Sequence, residues 1–171
     1  MTNLFQTKCC LRKEYPSMKS TPDEKIFQFE SPNDSSGFLL WQVSNLWQRK
    51  MKDGLSHLGL THVQFVLLAG IACLNREDNP VTQARLSAHA KTDVMMTSKV
   101  LRTLEQKGLV KRETHATDTR AKSLMMTDEG YQILVEAIQI VDQIDNDFFQ
   151  NIGQQISDFN LCIECLIEAN K

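Results

Sequence analysis

From Gly37 to the end of the chain, apolar residues recur every three or four positions in separate blocks, the period of helices that bury one face. The first block, FLLWQVSNLWQRKMKDGLSHLG, puts Leu40, Val43, Leu46, Trp47, Met51 and Leu55 on one side, with Gly54 and Gly59 loosening its end. Thr61 with Gln64 three residues on predicts a capping box, and the helix it opens, HVQFVLLAGIACL, is apolar on nearly all sides. Such a helix belongs at the centre of a fold. Asn79-Pro80 ends the loop behind it.

The blocks then shorten. Val81 and Thr82 predict a short strand, and Gln83 to Ala90 a short helix with Leu86 and Ala90 facing in. Thr92 or Asp93 caps the next helix, whose buried stripe is expected from Val94, Val100, Leu101 and Leu104, with Gly108 as its natural stop. Leu109-Val110 and Ser123 to Met126 frame a polar segment, as two strands and a loop would. Thr127 caps a long helix, with Asp128 and Glu129 suited to the positive end of its dipole. Tyr131, Leu134, Val135, Ile138, Val141, Ile144, Phe148 and Ile152 share one side of it, and Gly153 breaks it. A last helix carries Ile156, Phe159, Ile163, Leu166 and Ile167 at helical spacing. Before Gly37 no period is sustained, and Pro16, Pro22 and Pro32 fall there. That stretch reads either as an extended tail with little structure of its own or as a strap over a partner subunit through Ile26, Phe27 and Phe29.

Composition adds little until charge is mapped. At 171 residues, 42% hydrophobic and 23% charged, the chain is of a size for one globular domain, and its seven Gly and four Pro favour helices over a many-turned β fold. The net charge of −2 conceals a segregation. Between Thr82 and Lys122 nine bases face four acids, a net of +5, whereas Asp128 to Lys171 holds nine acids and one base, a net of −8. A basic middle on an acidic remainder predicts one surface for a polyanion, with chance segregation of solvated charge the alternative. The first twenty residues lack a continuous apolar core, and no stretch approaches the roughly 18 to 20 apolar residues of a membrane helix, so neither a signal peptide nor a membrane partner is expected. Five cysteines, with no His cluster beside them, read as reduced cytosolic thiols without a metal site. The four scattered histidines, and the lack of a nucleophile elbow or phosphate loop, argue against an enzyme, and no cofactor is expected.

Two helices of about eight and fifteen residues joined by a short turn form a helix-turn-helix, which lays its second helix in the major groove of double-stranded DNA. The exposed side of that helix is expected to present Met95, Met96, Thr97, Lys99 and Arg102, with Thr92 at its start. Thr97 and Ser98 can bond phosphate or base edges, Lys99 and Arg102 can neutralise phosphates, and a Met methyl can lie against a thymine methyl. The hairpin beyond carries Lys111, Arg112, Arg120 and Lys122, and arginine at such a tip suits a narrow minor groove.

The run LEQKGLVKRETHATDTRAKSLMMTDEG, from Leu104 to Gly130, resembles the wing signature of the MarR family of transcriptional regulators. The matching residues are Leu104, Glu105, Gly108, Leu109, Val110, Arg112, Asp118, Arg120, Leu124, Thr127 and Gly130, with Leu86-Ser87 upstream, and the helix order extends the resemblance over residues 37 to 171. It implies a mostly α fold with a small β wing: a winged helix-turn-helix DNA-binding lobe (61–127), a first helix (37–60) and C-terminal helices (128–171) for dimerisation, and an arm at 1–36. It implies Arg120 as the arginine that enters the minor groove and Asp118 as the carboxylate that braces it. It further implies a cytoplasmic homodimer, a repressor on a pseudo-palindromic operator, released by a small aromatic or phenolic effector. The crevice for that effector would draw on Trp41, Trp47, His57, His62 and Phe65.

Two other readings stay open at this point. Some relatives sense oxidants through cysteine; here Cys73 is expected to be inert packing, and Cys162 and Cys165 could cross-link only if a dimer brings their partners close. A winged helix that binds another protein would not need the basic wing, so Arg120 discriminates between them.

Overall fold

Thr61 and Gln64 do close a capping box. In the computed structural model the Thr61 hydroxyl accepts the Gln64 N–H at 3.3 Å and the Gln64 amide oxygen accepts the Thr61 N–H at 3.0 Å. The helix so started, His62–Leu74, buries Gln64, Leu67, Leu68, Gly70, Ile71 and Leu74, as its nearly all-round apolarity predicts. The structure describes residues 30–76, 80–114 and 122–170.

In chain order the helices are α1 (Ser36–Leu55), α2 (His62–Leu74), α3 (Gln83–Ala90), α4 (Val94–Gln106), α5 (Asp128–Phe149) and α6 (Ile156–Ala169). Two strands, β1 (Val110–Thr114) and β2 (Lys122–Met126), lie between α4 and α5. They pair antiparallel with Val110 opposite Met126 and Arg112 opposite Leu124. The strand expected at Val81–Thr82 shrinks to a bridge from Thr82 to Ser123, fixed by the Leu124 N–H donating to the Val81 carbonyl at 2.7 Å. The fold is therefore mostly helical with one small antiparallel wing.

One core runs through these elements. Met51 and Leu55 from α1, Leu67, Leu68 and Ile71 from α2, Leu86 from α3, Leu101 and Leu104 from α4, Leu124 from β2 and Leu134 and Ala137 from α5 are all buried in it. Each comes from a helical or alternating apolar pattern, and burying the set against water is what holds the lobe together.

One inward assignment is overturned. Val94 is 53% exposed, because α4 turns Thr97, Leu101 and Leu104 inward instead. Leu40, Val43 and Leu46 on α1 are exposed, so only the C-terminal half of that helix enters the core. The stripes of Tyr131, Val135 and Ile138 on α5 and of Phe159, Leu166 and Ile167 on α6 are exposed too, and α6 contains no buried residue.

The break at Gly153 is real. Its φ of 47° and ψ of −121° lie outside the helical region and turn the chain between α5 and α6.

Candidate nucleic-acid interface

Position is set by how α3 and α4 are held. Thr82 caps α3 by accepting the Arg85 N–H at 3.2 Å, and Lys91 ends it in the left-handed region at φ 51°, a conformation a side chain adopts only when the surroundings demand it. Asp93 then starts α4: its Oδ1 accepts the N–H of Met95 at 2.8 Å and of Met96 at 2.9 Å. The Gln83 amide donates to the Val94 carbonyl at 3.3 Å, tying the head of α3 to the first turn of α4. At the far end Lys107 donates to the Gly59 carbonyl and to Gln64 Oε1, so the tail of α4 is pinned to the start of α2.

With both ends fixed, α4 has one rotational setting. Met95, Lys99 and Arg102 stand at i, i+4 and i+7 on its exposed ridge, and Met95 is 78% exposed. Met96 is exposed beside them.

Thr97 is a correction. It is wholly buried, its hydroxyl donates to the Asp93 carbonyl at 2.8 Å, and the Thr92 hydroxyl lies 2.8 Å from the Thr97 hydroxyl oxygen. Both hydroxyls are thus spent inside the turn, and Thr97 cannot meet a base edge. Ser98 is half-buried.

The wing repeats this pattern of residues used for support. Arg112 is half-buried in β1, with its Nε 3.0 Å from Glu105 Oε2 on α4. Among the described residues neither its Nε nor its Nη2 completes a hydrogen bond of good geometry, so the link is an ion pair across the strand–helix seam. This placement joins β1 to α4 through Arg112 and Glu105. Gly108 takes a φ of 74°, which favours glycine, and lets the chain leave α4 for β1. The Thr127 hydroxyl donates to the Gly108 carbonyl at 2.7 Å and accepts the Gly130 N–H at 3.0 Å. Asp118 and Arg120 lie outside the described residues; Lys122 begins β2 opposite Thr114.

The expected effector crevice is partly assembled. An open groove of about 900 Å³ is lined by Trp41, Gln48, Arg49, Lys52 and His62 among others; Trp47, His57 and Phe65 are not part of its wall. Trp47 packs edge-on against His62 at 4.8 Å, and its indole N–H donates to Asp145 Oδ1 at 2.7 Å. His62 stacks on Phe65 at 6.4 Å, while His57 stands exposed in the turn after α1. Burial holds the His62 pKa below its usual 6.5, with the charge of Asp145 opposing that shift.

Cys73, expected to be inert packing, is exposed, as are Cys162 and Cys165, a Cys-x-x-Cys pair on α6. No group of three metal-ligating side chains occurs among the described residues.

Comparison with known proteins agrees with this geometry. The MarR family profile matches residues 60–122, the span from α2 to the wing. An uncharacterised HTH-type transcriptional regulator of Bacillus subtilis (strain 168), YdcH, is 43% identical over 122 residues, covering 71% of this chain and 83% of that protein. The chain belongs to the MarR family. Among solved structures, the Staphylococcus aureus MepR–DNA complex superposes with a TM-score of 0.73 at 18% identity, over 82% of this chain and 100% of MepR. CouR from Rhodococcus jostii RHA1, bound to p-coumaroyl-CoA, gives a TM-score of 0.68 at 25% identity, over 81% of this chain and 93% of CouR. Helix α4 and the β1–β2 hairpin thus take the places of the second helix and the wing in the winged-helix fold of a MarR-type transcriptional regulator.

Most of the MarR signature proves to be scaffold. Leu104, Leu109, Val110 and Leu124 are core, Glu105 holds Arg112, and Gly108, Thr127 and Gly130 join the wing to α5. Of the two cap candidates read from the sequence, Thr92 and Asp93, it is Asp93 that starts α4. Sequence reasoning missed Lys107 as the pin of the other end, because the carbonyl of Gly59 and Gln64 lie more than forty residues away in the chain.

Proposed function

We propose that this MarR-family regulator acts as a cytoplasmic homodimer that represses from a pseudo-palindromic operator and lets go when a small aromatic ligand enters the groove beside Trp41 and His62. The phase of α4 carries the reading. Its buried side is fully committed to the lobe, which leaves Met95, Met96, Lys99 and Arg102 on one outward ridge, the geometry a major groove accepts. The division into an arm at 1–36, a helix for dimerisation at 37–60, the DNA-binding lobe at 61–127 and dimerisation helices at 128–171 follows from the same reading. So do a minor-groove role for Arg120 braced by Asp118 and phosphate contacts from Lys122. The MepR complex with DNA and the CouR complex with p-coumaroyl-CoA support the two ligand classes by likeness of fold.

Arg120→Ala tests the wing. It should weaken duplex binding at least about tenfold while the dimer stays intact, and wild-type affinity should fall steeply with salt as phosphates are neutralised. Unchanged affinity in a gel-shift titration removes Arg120 from the interface, and salt-independent binding favours a protein partner instead.

Exposure of Cys73, Cys162 and Cys165 supports a second reading, in which an oxidant rather than an aromatic ligand triggers release. Peroxide added to the same gel shift separates the two.

A further inference from the structure

The first turn of α4 is where a recognition helix meets base edges, and here its polar groups are already in use. The Thr97 and Thr92 hydroxyls bond within the turn, and the N–H groups of Met95 and Met96 are taken by Asp93 Oδ1. Ser98 is half-buried, and Gln83, which reaches the turn from α3, donates to the Val94 carbonyl. What the turn offers outward is apolar: Val94 at 53% exposure, Met95 at 78% and Met96 at 40%. The side chain of Asp93 is its polar exception, and its negative charge is committed to the helix cap.

An exposed apolar cluster with three flexible or branched side chains is costly in water and needs an occupant. Charge complementarity says which. Lys91 precedes the cluster, Lys99 and Arg102 follow it along the ridge, and Lys111 is exposed on β1, so the apolar spot sits in a basic surround that suits a polyanion. In the major groove of a duplex, the one apolar feature that differs among base pairs is the C5 methyl of thymine.

We infer that α4 selects its operator through thymine methyl groups, with Met95 and Met96 as the specificity-determining side chains and Val94 beside them. This rests on the proposed entry of α4 into the major groove. Arg102 and Lys99 supply affinity from the same ridge, while the two thioethers, unbranched and polarizable, adapt to methyls at slightly different heights. A·T and T·A pairs are distinguished because the methyl changes strand, and cytosine is rejected because it has none.

The test changes only that methyl. Duplexes bound by the full chain are recovered from a random pool, and the enriched sequence is resynthesised with deoxyuridine in place of thymidine, which keeps every hydrogen-bonding edge. Losing one buried methyl costs about a fourfold drop, so a uracil duplex that lacks at least one read methyl in each of two half-sites should bind the wild-type protein more than about tenfold more weakly. The Met95→Ala/Met96→Ala variant, whose two positions are exposed and outside the core, should bind thymine and uracil duplexes alike, with its circular dichroism unchanged. Equal affinity of the wild-type protein for the two duplexes, with steep salt dependence retained, overturns the methyl readout and leaves DNA binding standing. Recovery of no duplex overturns both, and points to a protein as the occupant of the apolar cluster.

Discussion

The Leu109 carbonyl lies where the chain entering the wing meets the start of the long helix. It accepts the Thr127 N–H at 3.1 Å, and a Cβ placed on Gly130 would stand 2.1 Å from its oxygen. Backbone cannot yield there as a side-chain tip could, so Gly130→Ala should cost about 2 kcal/mol or more by overpacking. A thermal scan should show Tm falling by roughly 5 °C or more, and an unchanged Tm would mean that α5 can shift without loss. His62 gives a second prediction at this scale. Burial lowers its folded-state pKa below 6.5, so the unfolded chain takes up a proton first as pH drops. Its stabilising contribution is complete above about pH 6.5, the unfolded value, and is lost as pH falls below it. Denaturant midpoints at pH 8 and pH 5.5 should therefore differ more in the wild-type protein than in His62→Asn. Equal differences would sink the assignment.

At the scale of elements, most of the order and span of the helices was legible, because caps and period act locally. The Thr61–Gln64 box, the Gly108 stop, the Thr127 cap and the Gly153 break all lie where their residue types predict. The phase of α4 was not legible from hydrophobicity alone. Val94 is apolar and was assigned inward, Thr97 is polar and was assigned outward, and the helix reverses both. Thr97, Leu101 and Leu104 share a face at i, i+4 and i+7, and a threonine can occupy the buried end of that face because its hydroxyl bonds back to the Asp93 carbonyl four residues earlier. The same limitation hid Arg112. Arg112 is expected at DNA, and its ion pair with Glu105, seven residues earlier on the preceding helix, shows only in the fold. Trp47 was likewise taken as crevice wall, and its bond to Asp145, almost a hundred residues on, could not be read from local pattern.

The molecule as a whole carries more apolar surface outside the lobe than its own packing uses. Phe38, Leu39, Leu40 and Trp41 on α1 and Phe159, Leu161, Leu166 and Ile167 on α6 are all exposed, and they lie on two of the three helices proposed for dimerisation. Isolated subunits would present these stripes to water, whereas two copies could bury them against each other and space two α4 ridges for a two-fold operator. Leu166→Glu with Ile167→Glu puts charge into that contact without touching the core, since both side chains are exposed and α6 has no fully buried residue. The doubly substituted chain should sediment as a monomer and keep its helical circular dichroism. Its operator affinity should drop by about a hundredfold or more, because the second half-site no longer benefits from effective concentration. A variant that still sediments as a dimer but melts earlier would show that these residues pack within the subunit. Dimerisation would then have to be sought on the exposed face of α1.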